Sequence, residues 1–230
     1  MIERVHERAR LARLPDRVVV ATEDPRIADA VRGFGGEVIM TAATHETGTD
    51  RVAEAARALD ADIIVNVQGD EPMLDSTAID KTAEALLSSP DAVIATLAIP
   101  FETPEEILSP GAVKVVVDGA GNALYFSRSP IPYVRLGSTP DPRASAAEAV
   151  RMGVAFKHVG IYAYRRETLF RFSALPQAPL EKAEGLEQLR ALQNGIPIRV
   201  VFSQVRGGPA VDTQEDLEHV RGLFAGKART

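Results

Sequence analysis

Apolar positions along this chain follow two rhythms, and the rhythm changes near Ala92. In the first stretch, amphipathic segments alternate with short unbroken apolar runs. Ile2, Val5 and Ala9 share one face among Glu and Arg, which predicts a helix from Met1 to about Leu14. Arg17 to Ala21 reads as a strand, and Asp24-Pro25 opens a helix through Phe34 with proline in its first turn. Gly35-Gly36 closes that helix, and Glu37 to Met40 is the next strand. A helix from Gly48 to Leu59, a strand from Asp62 to Val67 and a helix capped by Ser76 and ending near Ser89-Pro90 complete this half. Continuous apolar strands between amphipathic helices predict a parallel sheet covered on both faces.

Beyond Ala92 the strands crowd together. Val93 to Ile99, Ala112 to Val117, Ala123 to Ser127 and His158 to Tyr164 are predicted strands with little helix between them, and Gly119 to Asn122 reads as a hairpin-type turn. The polar, alanine-rich and proline-bearing stretch from Arg135 to Arg151 reads as a mobile surface loop. Helix returns from Glu181 to Asn194, followed by strand Ile198 to Ser203 and helix Thr213 to Phe224. A βαβ chain normally opens with a strand, whereas this one opens in a helix. The first crossover unit is therefore expected to lack its strand: either the fold begins unusually or the chain starts late.

Composition narrows the function classes. At 230 residues the chain can bury a sizeable core, and its 45% apolar and 25% charged content is that of a globular protein. A net charge of -6 argues against general nucleic-acid binding, which leans on basic patches. The absence of cysteine removes disulfides, thiol nucleophiles and thiolate metal sites. No apolar stretch approaches the ~20 residues of a membrane span, and no signal peptide is visible at the charged, helix-patterned start. The expectation is a soluble, cytoplasmic protein with no nucleic-acid or membrane partner.

The chemistry concentrates in a few places. Asn66-Val67-Gln68-Gly69-Asp70-Glu71-Pro72 follows the apolar run Ile63-Ile64-Val65, and open α/β sheets bind ligands outside the carboxyl ends of their strands. A plain strand-to-loop junction with solvated acids is the competing reading. Asp212, in Val211-Asp212-Thr213, is a second carboxylate that can share a hard divalent cation with Asp70, or it merely caps its helix. Thr47-Gly48-Thr49-Asp50-Arg51 leads into a helix whose first amides can hold a nucleotide or phosphate, or is an ordinary capped start. His158 lies on an apolar strand with Tyr162 further along it. Glu184, Glu187 and Gln188 lie opposite Leu186, Leu189 and Leu192, as a solvated face or as a grip on sugar hydroxyls. Arg128 and Arg135 flank a proline-rich strand exit where they can hold an acidic ligand.

Several of these segments occur in the order of a known family. Val65 to Pro72, Leu124-Tyr125-Phe126-Ser127-Arg128, His158 to Tyr162, Pro179-Leu180-Glu181, Leu186 to Arg190 and Val211-Asp212-Thr213 together resemble the 3-deoxy-D-manno-octulosonate (Kdo) cytidylyltransferases, from Met1 to about Arg221. The resemblance implies an α/β nucleotidyltransferase fold, Rossmann-like. Its sheet would be mostly parallel, in a single domain over residues 1–230 with a small antiparallel substrate and dimerisation lobe at about 93–165. It implies transfer of CMP from CTP to Kdo with release of pyrophosphate, for lipopolysaccharide assembly, by a cytoplasmic homodimer. By resemblance Asp70 and Asp212 hold Mg²⁺ and, with Gln68, form the catalytic set; Arg128, His158, Tyr162, Glu187 and Gln188 bind the sugar acid together with Gln68; Thr47, Gly48, Thr49 and Arg51 hold the nucleotide.

Members of that family begin with a strand and an Ala-Arg-x-x-Ser-x-Arg-Leu-Pro-Gly-Lys-Pro loop for the CTP triphosphate. Met1-Ile2 corresponds to the helix after that loop, so the N-terminal strand and loop are expected to be missing. Arg13-Leu14-Pro15 imitates the loop, but no Gly-Lys follows it. The alternatives are therefore a truncated or catalytically silent homologue, or a cytidylyltransferase for another 2-keto sugar acid.

Overall fold

A computed structural model describes residues 1–204, 207–211 and 213–227, the last three as backbone only. In chain order the elements are α1 (Ile2–Ala9), β1 (Val19–Thr22), α2 (Pro25–Gly33), β2 (Glu37–Met40), α3 (Gly48–Ala56), β3 (Ile63–Asn66), α4 (Ser76–Leu87), β4 (Ile94–Pro100) and α5 (Pro104–Leu108). They continue as β5 (Lys114–Val117), β6 (Ala123–Ser127), α6 (Pro142–Met152), β7 (Phe156–Arg165), α7 (Arg166–Ser173), α8 (Pro179–Glu184), α9 (Gln188–Gln193), β8 (Ile198–Phe202) and α10 (Gln214–Lys227). The chain gathers into two compact units: residues 1–60, 66–80 and 206–230, and residues 61–65 and 81–205.

In the first unit β1 and β2 pair in parallel, Val19 opposite Glu37 through Thr22 opposite Met40. The connection between them is α2, which starts where Asp24 accepts the Arg26 N–H at 2.8 Å and Pro25 supplies a pre-set first turn. Ala28 and Val31 of α2, Val5 and Ala9 of α1 and Ala53, Ala55 and Ala56 of α3 are buried, the small side chains of α3 suiting close packing.

The second unit is built on a six-stranded sheet ordered β6-β5-β7-β4-β8, with β3 also paired to β7. This sheet is mixed, which corrects the expectation of a mostly parallel one. β4–β7, β5–β6 and β5–β7 are antiparallel, and β4–β8 is parallel. The reason is connection length: β5 and β6 are joined by the tight turn around Gly119–Asn122, and only antiparallel strands can be joined that way. In the β4–β7 ladder the register jumps from Thr96 opposite Tyr162 to Leu97 opposite Val159. Gly160 and Ile161 are thereby looped out of the ladder, a bulge that re-aims the side chains beside it.

Two further expectations change. The stretch from Arg135 to Arg151 is not all loop, because residues 142–152 form α6. Asp141 caps it by accepting the Ala144 N–H at 2.9 Å, Pro142 occupies its first turn, and Gly153 closes it at φ 63°. Two of its alanines are buried: Ala146 and Ala149 pack with Phe101, Ile107, Ala112 and Ala155. Small residues that looked featureless in sequence are a packing face. The single helix expected from Glu181 to Asn194 is two helices, α8 and α9, broken at Gly185, whose φ of 61° suits glycine.

Candidate functional site

In the first unit, α3 opens at the segment expected to meet a nucleotide. Thr47 caps it, its Oγ1 accepting the Asp50 N–H at 3.1 Å. Gly48 follows, and a Cβ placed there would lie 3.7 Å from Gln68 Oε1, so the structure brings Gln68 together with this helix start. Thr49 is buried and its Oγ1 accepts from Asn66 Nδ2 at 3.3 Å, which ties the end of β3 to α3. Arg51 pairs with Glu23 at 2.5 Å and donates to Thr41 Oγ1 at 2.8 Å, anchoring α3 to the ends of β1 and β2. Thr49 and Arg51 therefore hold the segment in shape, while Gly48 lies beside Gln68.

Asp70 and Glu71 lie half-buried on the next turn. Burial, reinforced by the Asp70 charge, pushes the Glu71 carboxyl up to about 7. The loop is held from several sides. Arg8 Nε donates to Leu74 O at 2.7 Å, Val211 N to Asp70 O at 2.9 Å, and Gly208 N to Met73 O at 3.3 Å. The approach at Gly208 is so close that a Cβ there would lie 2.4 Å from Met73 Cβ. Asp212, expected as the second metal ligand, lies outside the described residues. Its neighbour Val211 is hydrogen-bonded to the Asp70 backbone.

In the second unit two of the expected sugar-binding residues, His158 and Tyr162, lie on β7. His158 and Tyr162 approach with ring centroids 5.4 Å apart, and Phe126 meets the His158 ring edge-on at 5.0 Å. Desolvation holds the His158 imidazole far below the usual histidine range, at about 3, so it is neutral at physiological pH. Tyr162 is buried and its phenol titrates well above the usual tyrosine range, first because of burial and then because of the Tyr164 hydroxyl and the Glu187 charge. Among the described residues no group meets the Tyr162 hydroxyl at hydrogen-bonding geometry, although the Thr96 hydroxyl is near enough to bear on it. Gln188 is buried as well, and its Nε2 has no hydrogen-bond partner among the described residues.

Arg128 is placed differently from a plain ligand clamp. Its Nε donates to Glu184 O at 2.7 Å, Nη1 to Pro110 O at 3.1 Å and Nη2 to Gly185 O at 3.3 Å. Two of its five N–H groups thus hold the turn that sets up α9, and a third reaches the segment between α5 and β5. Glu184 completes the brace, accepting from Ser127 Oγ at 2.7 Å and Arg128 N at 2.9 Å. Beneath it the fully buried Lys114 donates to Ser109 O at 2.7 Å and Arg128 O at 2.5 Å.

Sequence reasoning missed Thr96, Lys114 and the buried pair Glu181–Arg190. Thr96 left a signal, as the polar residue inside the run Ile94 to Ile99. The other two left none, because charged residues on a helix or at a strand end usually face water.

The cytidylyltransferase family model matches residues 1–199. The 3-deoxy-manno-octulosonate cytidylyltransferase of Syntrophotalea carbinolica is 51% identical over 227 residues, covering 97% of this chain and 89% of that one. Its namesake in Geobacter sulfurreducens is 50% identical over 220 residues, covering 96% and 87%. A solved structure of CMP:2-keto-3-deoxy-manno-octonic acid synthetase complexed with CTP superposes with a TM-score of 0.88 at 43% identity, over 98% of this chain and 88% of that chain. The 4-diphosphocytidyl-2C-methyl-D-erythritol synthase of Anaerococcus prevotii, at 13% identity and a TM-score of 0.60 over 97% of this chain and 88% of that chain, shares the fold alone.

Proposed function

The chain belongs to the cytidylyltransferase family, and from that premise we propose that it transfers CMP from CTP to 3-deoxy-D-manno-octulosonate, releasing pyrophosphate and supplying lipopolysaccharide assembly. One observation carries the choice of a hydroxylated acceptor. The Tyr162 hydroxyl and Gln188 Nε2 are buried polar groups without hydrogen-bond partners among the described residues, a costly arrangement unless a polar ligand completes it.

The sugar's anomeric hydroxyl oxygen forms a new bond to the α-phosphorus of CTP, and the bond from that phosphorus to the bridging oxygen of pyrophosphate breaks. The hydroxyl proton is lost to solvent or phosphate. Little covalent work falls to the protein, whose task is positioning. Thr47, Gly48 and Gln68 hold the nucleotide at the start of α3, with Thr49 and Arg51 keeping that start rigid. Neutral His158, Tyr162, Glu187 and Gln188 orient the sugar hydroxyls, while Arg128 holds the α8–α9 turn and offers its remaining N–H groups to the sugar carboxylate.

Asp70 and Asp212 would hold Mg²⁺, which neutralises phosphate charge and makes the attacking hydroxyl more nucleophilic. An all-oxygen donor set suits that hard cation, and the Val211–Asp70 hydrogen bond of 2.9 Å supports the pairing. No described helix is long and apolar enough to cross a membrane, and in this reading the enzyme works in the cytoplasm. The functional form in this reading is a homodimer.

The test is direct. Incubation with CTP, Kdo and Mg²⁺ should release pyrophosphate and form CMP-Kdo, with no turnover when any one is omitted. Equal or faster turnover of neuraminic acid or of 8-amino Kdo would reassign the acceptor. Absence of pyrophosphate with every acceptor would overturn the reading.

A further inference from the structure

The tautomer of His158 decides whether its Nδ1 meets a ligand as acceptor or as donor, and a residue not in the expected site selects which. Thr96 is fully buried on β4 beside the bulge of β7. Its Oγ1 lies 2.8 Å from Ile161 O, 3.3 Å from Val159 O and 3.0 Å from His158 Nε2. A hydroxyl carries a single proton, and carbonyl oxygens can only accept. If that proton turned to His158, the contacts with both carbonyl oxygens would lose their hydrogen in a buried site. The favourable assignment is therefore Thr96 donating to the Ile161 carbonyl, shared with Val159, and accepting from His158 Nε2–H.

We propose that Thr96 is a positioning residue that fixes His158 as the Nε2–H tautomer, so that Nδ1 presents a lone pair to a hydroxyl of the sugar acid. The inference rests on the reading that His158 faces the sugar. It extends that reading by assigning the ring a role as acceptor and by naming the residue that imposes the role. The bulge makes the arrangement possible, because looping out Gly160 and Ile161 brings the Ile161 carbonyl to the Thr96 hydroxyl while His158 remains in the ladder opposite Ala98. Neutrality matters equally, since a protonated ring would donate from both nitrogens.

Thr96→Val keeps the shape and β-branching and removes the hydroxyl, and Thr96→Ser restores it. Nitrogen NMR of the ¹⁵N-histidine-labelled protein at neutral pH distinguishes the two tautomers, with His158→Gln assigning the signal. The expected result is Nε2–H in the parent and in Thr96→Ser, and a mixed or Nδ1–H population in Thr96→Val. The KM for Kdo should rise about tenfold in Thr96→Val, the loss of one ordinary hydrogen bond, with the KM for CTP unchanged and Thr96→Ser close to the parent. An Nδ1–H tautomer in the parent overturns the proposal, as does a Thr96→Val protein with unaltered tautomer and KM. Should Thr96→Val fail to fold, the parent spectrum and the Thr96→Ser kinetics still decide. A parent protein that shows the Nε2–H tautomer yet never turns over Kdo overturns the functional reading and leaves the tautomer assignment standing.

Discussion

Arg190 and Glu181 form a two-point ion pair inside the second unit, Nε to Oε2 at 2.9 Å and Nη2 to Oε1 at 2.5 Å, with side chains only 3% and 7% exposed. Glu181 Oε2 also accepts the Ala178 N–H at 2.9 Å, and the guanidinium lies over the Phe172 ring at 4.9 Å. The same Arg190 Nη2 approaches Glu187 Oε1 at 3.7 Å. One buried cation thus joins α8 to the carboxylate expected to bind sugar.

Breaking that pair from one side should be far worse than removing it whole. Arg190→Met leaves a buried carboxylate uncompensated and is expected to cost about 3–5 kcal/mol. The double variant Arg190→Met with Glu181→Leu should recover much of that loss. Urea unfolding of the three proteins measures both, and equal losses in the single and double variants would contradict the account.

Tyr162→Phe should separate stability from function. Removing an unpartnered buried hydroxyl is expected to stabilise the fold by about 1 kcal/mol, while the KM for Kdo rises by roughly tenfold because the ligand loses a partner. Thermal melting and steady-state kinetics on the same preparation check the pair of signs. A less stable variant with unchanged KM would place the hydroxyl in the fold instead of the site.

Acid should destabilise the protein through His158. Its folded pKa of about 3 lies below the unfolded value of about 6.5, so between them the unfolded chain binds the extra proton. Stability from this group is therefore complete above about 6.5 and falls as pH drops towards about 3. His158→Phe should flatten that part of the curve. Denaturant unfolding at a series of pH values compares the two slopes.

Gly208→Ala should weaken use of Mg²⁺ without touching the sugar. A methyl group at 208 would lie 2.4 Å from Met73 Cβ, so the 207–211 segment must move away from the Asp70 loop. The strain is of order 1–3 kcal/mol. The Mg²⁺ concentration giving half-maximal turnover should rise about tenfold or more, with the KM for Kdo at saturating Mg²⁺ little changed. An unaltered Mg²⁺ dependence would remove the link between Gly208 and the metal site.

Local signals accounted for much of the fold. Asp24-Pro25 marks a helix start, Glu37 to Met40 is a strand with the bounds its pattern implies, and Ala123 to Ser127 likewise. The misreadings share a cause. Residues 142–152 carry a cap, a proline at the start and Gly153 at the end, yet their alanines lack the apolar contrast by which periodicity is recognised. Gly185 inside an otherwise helical pattern gave no warning of a break, because its left-handed φ is held by the Arg128 clamp from β6.

The amino-acid sequence by itself determined the kinds of elements, most of their bounds and, through ordered motifs, the family and the residues expected to meet nucleotide and sugar. These depend on periodicity, caps and composition, which act between neighbours in the chain. Tertiary structure alone decided strand direction in the mixed sheet, the burial of Lys114 and Arg190, the α8–α9 break and the attachment of His158 to Thr96. Each of these rests on hydrogen bonds or packing between residues distant in sequence, as with Thr96 and His158 across the β4–β7 ladder. Register and bulge choose such partners, and no local pattern carries that information.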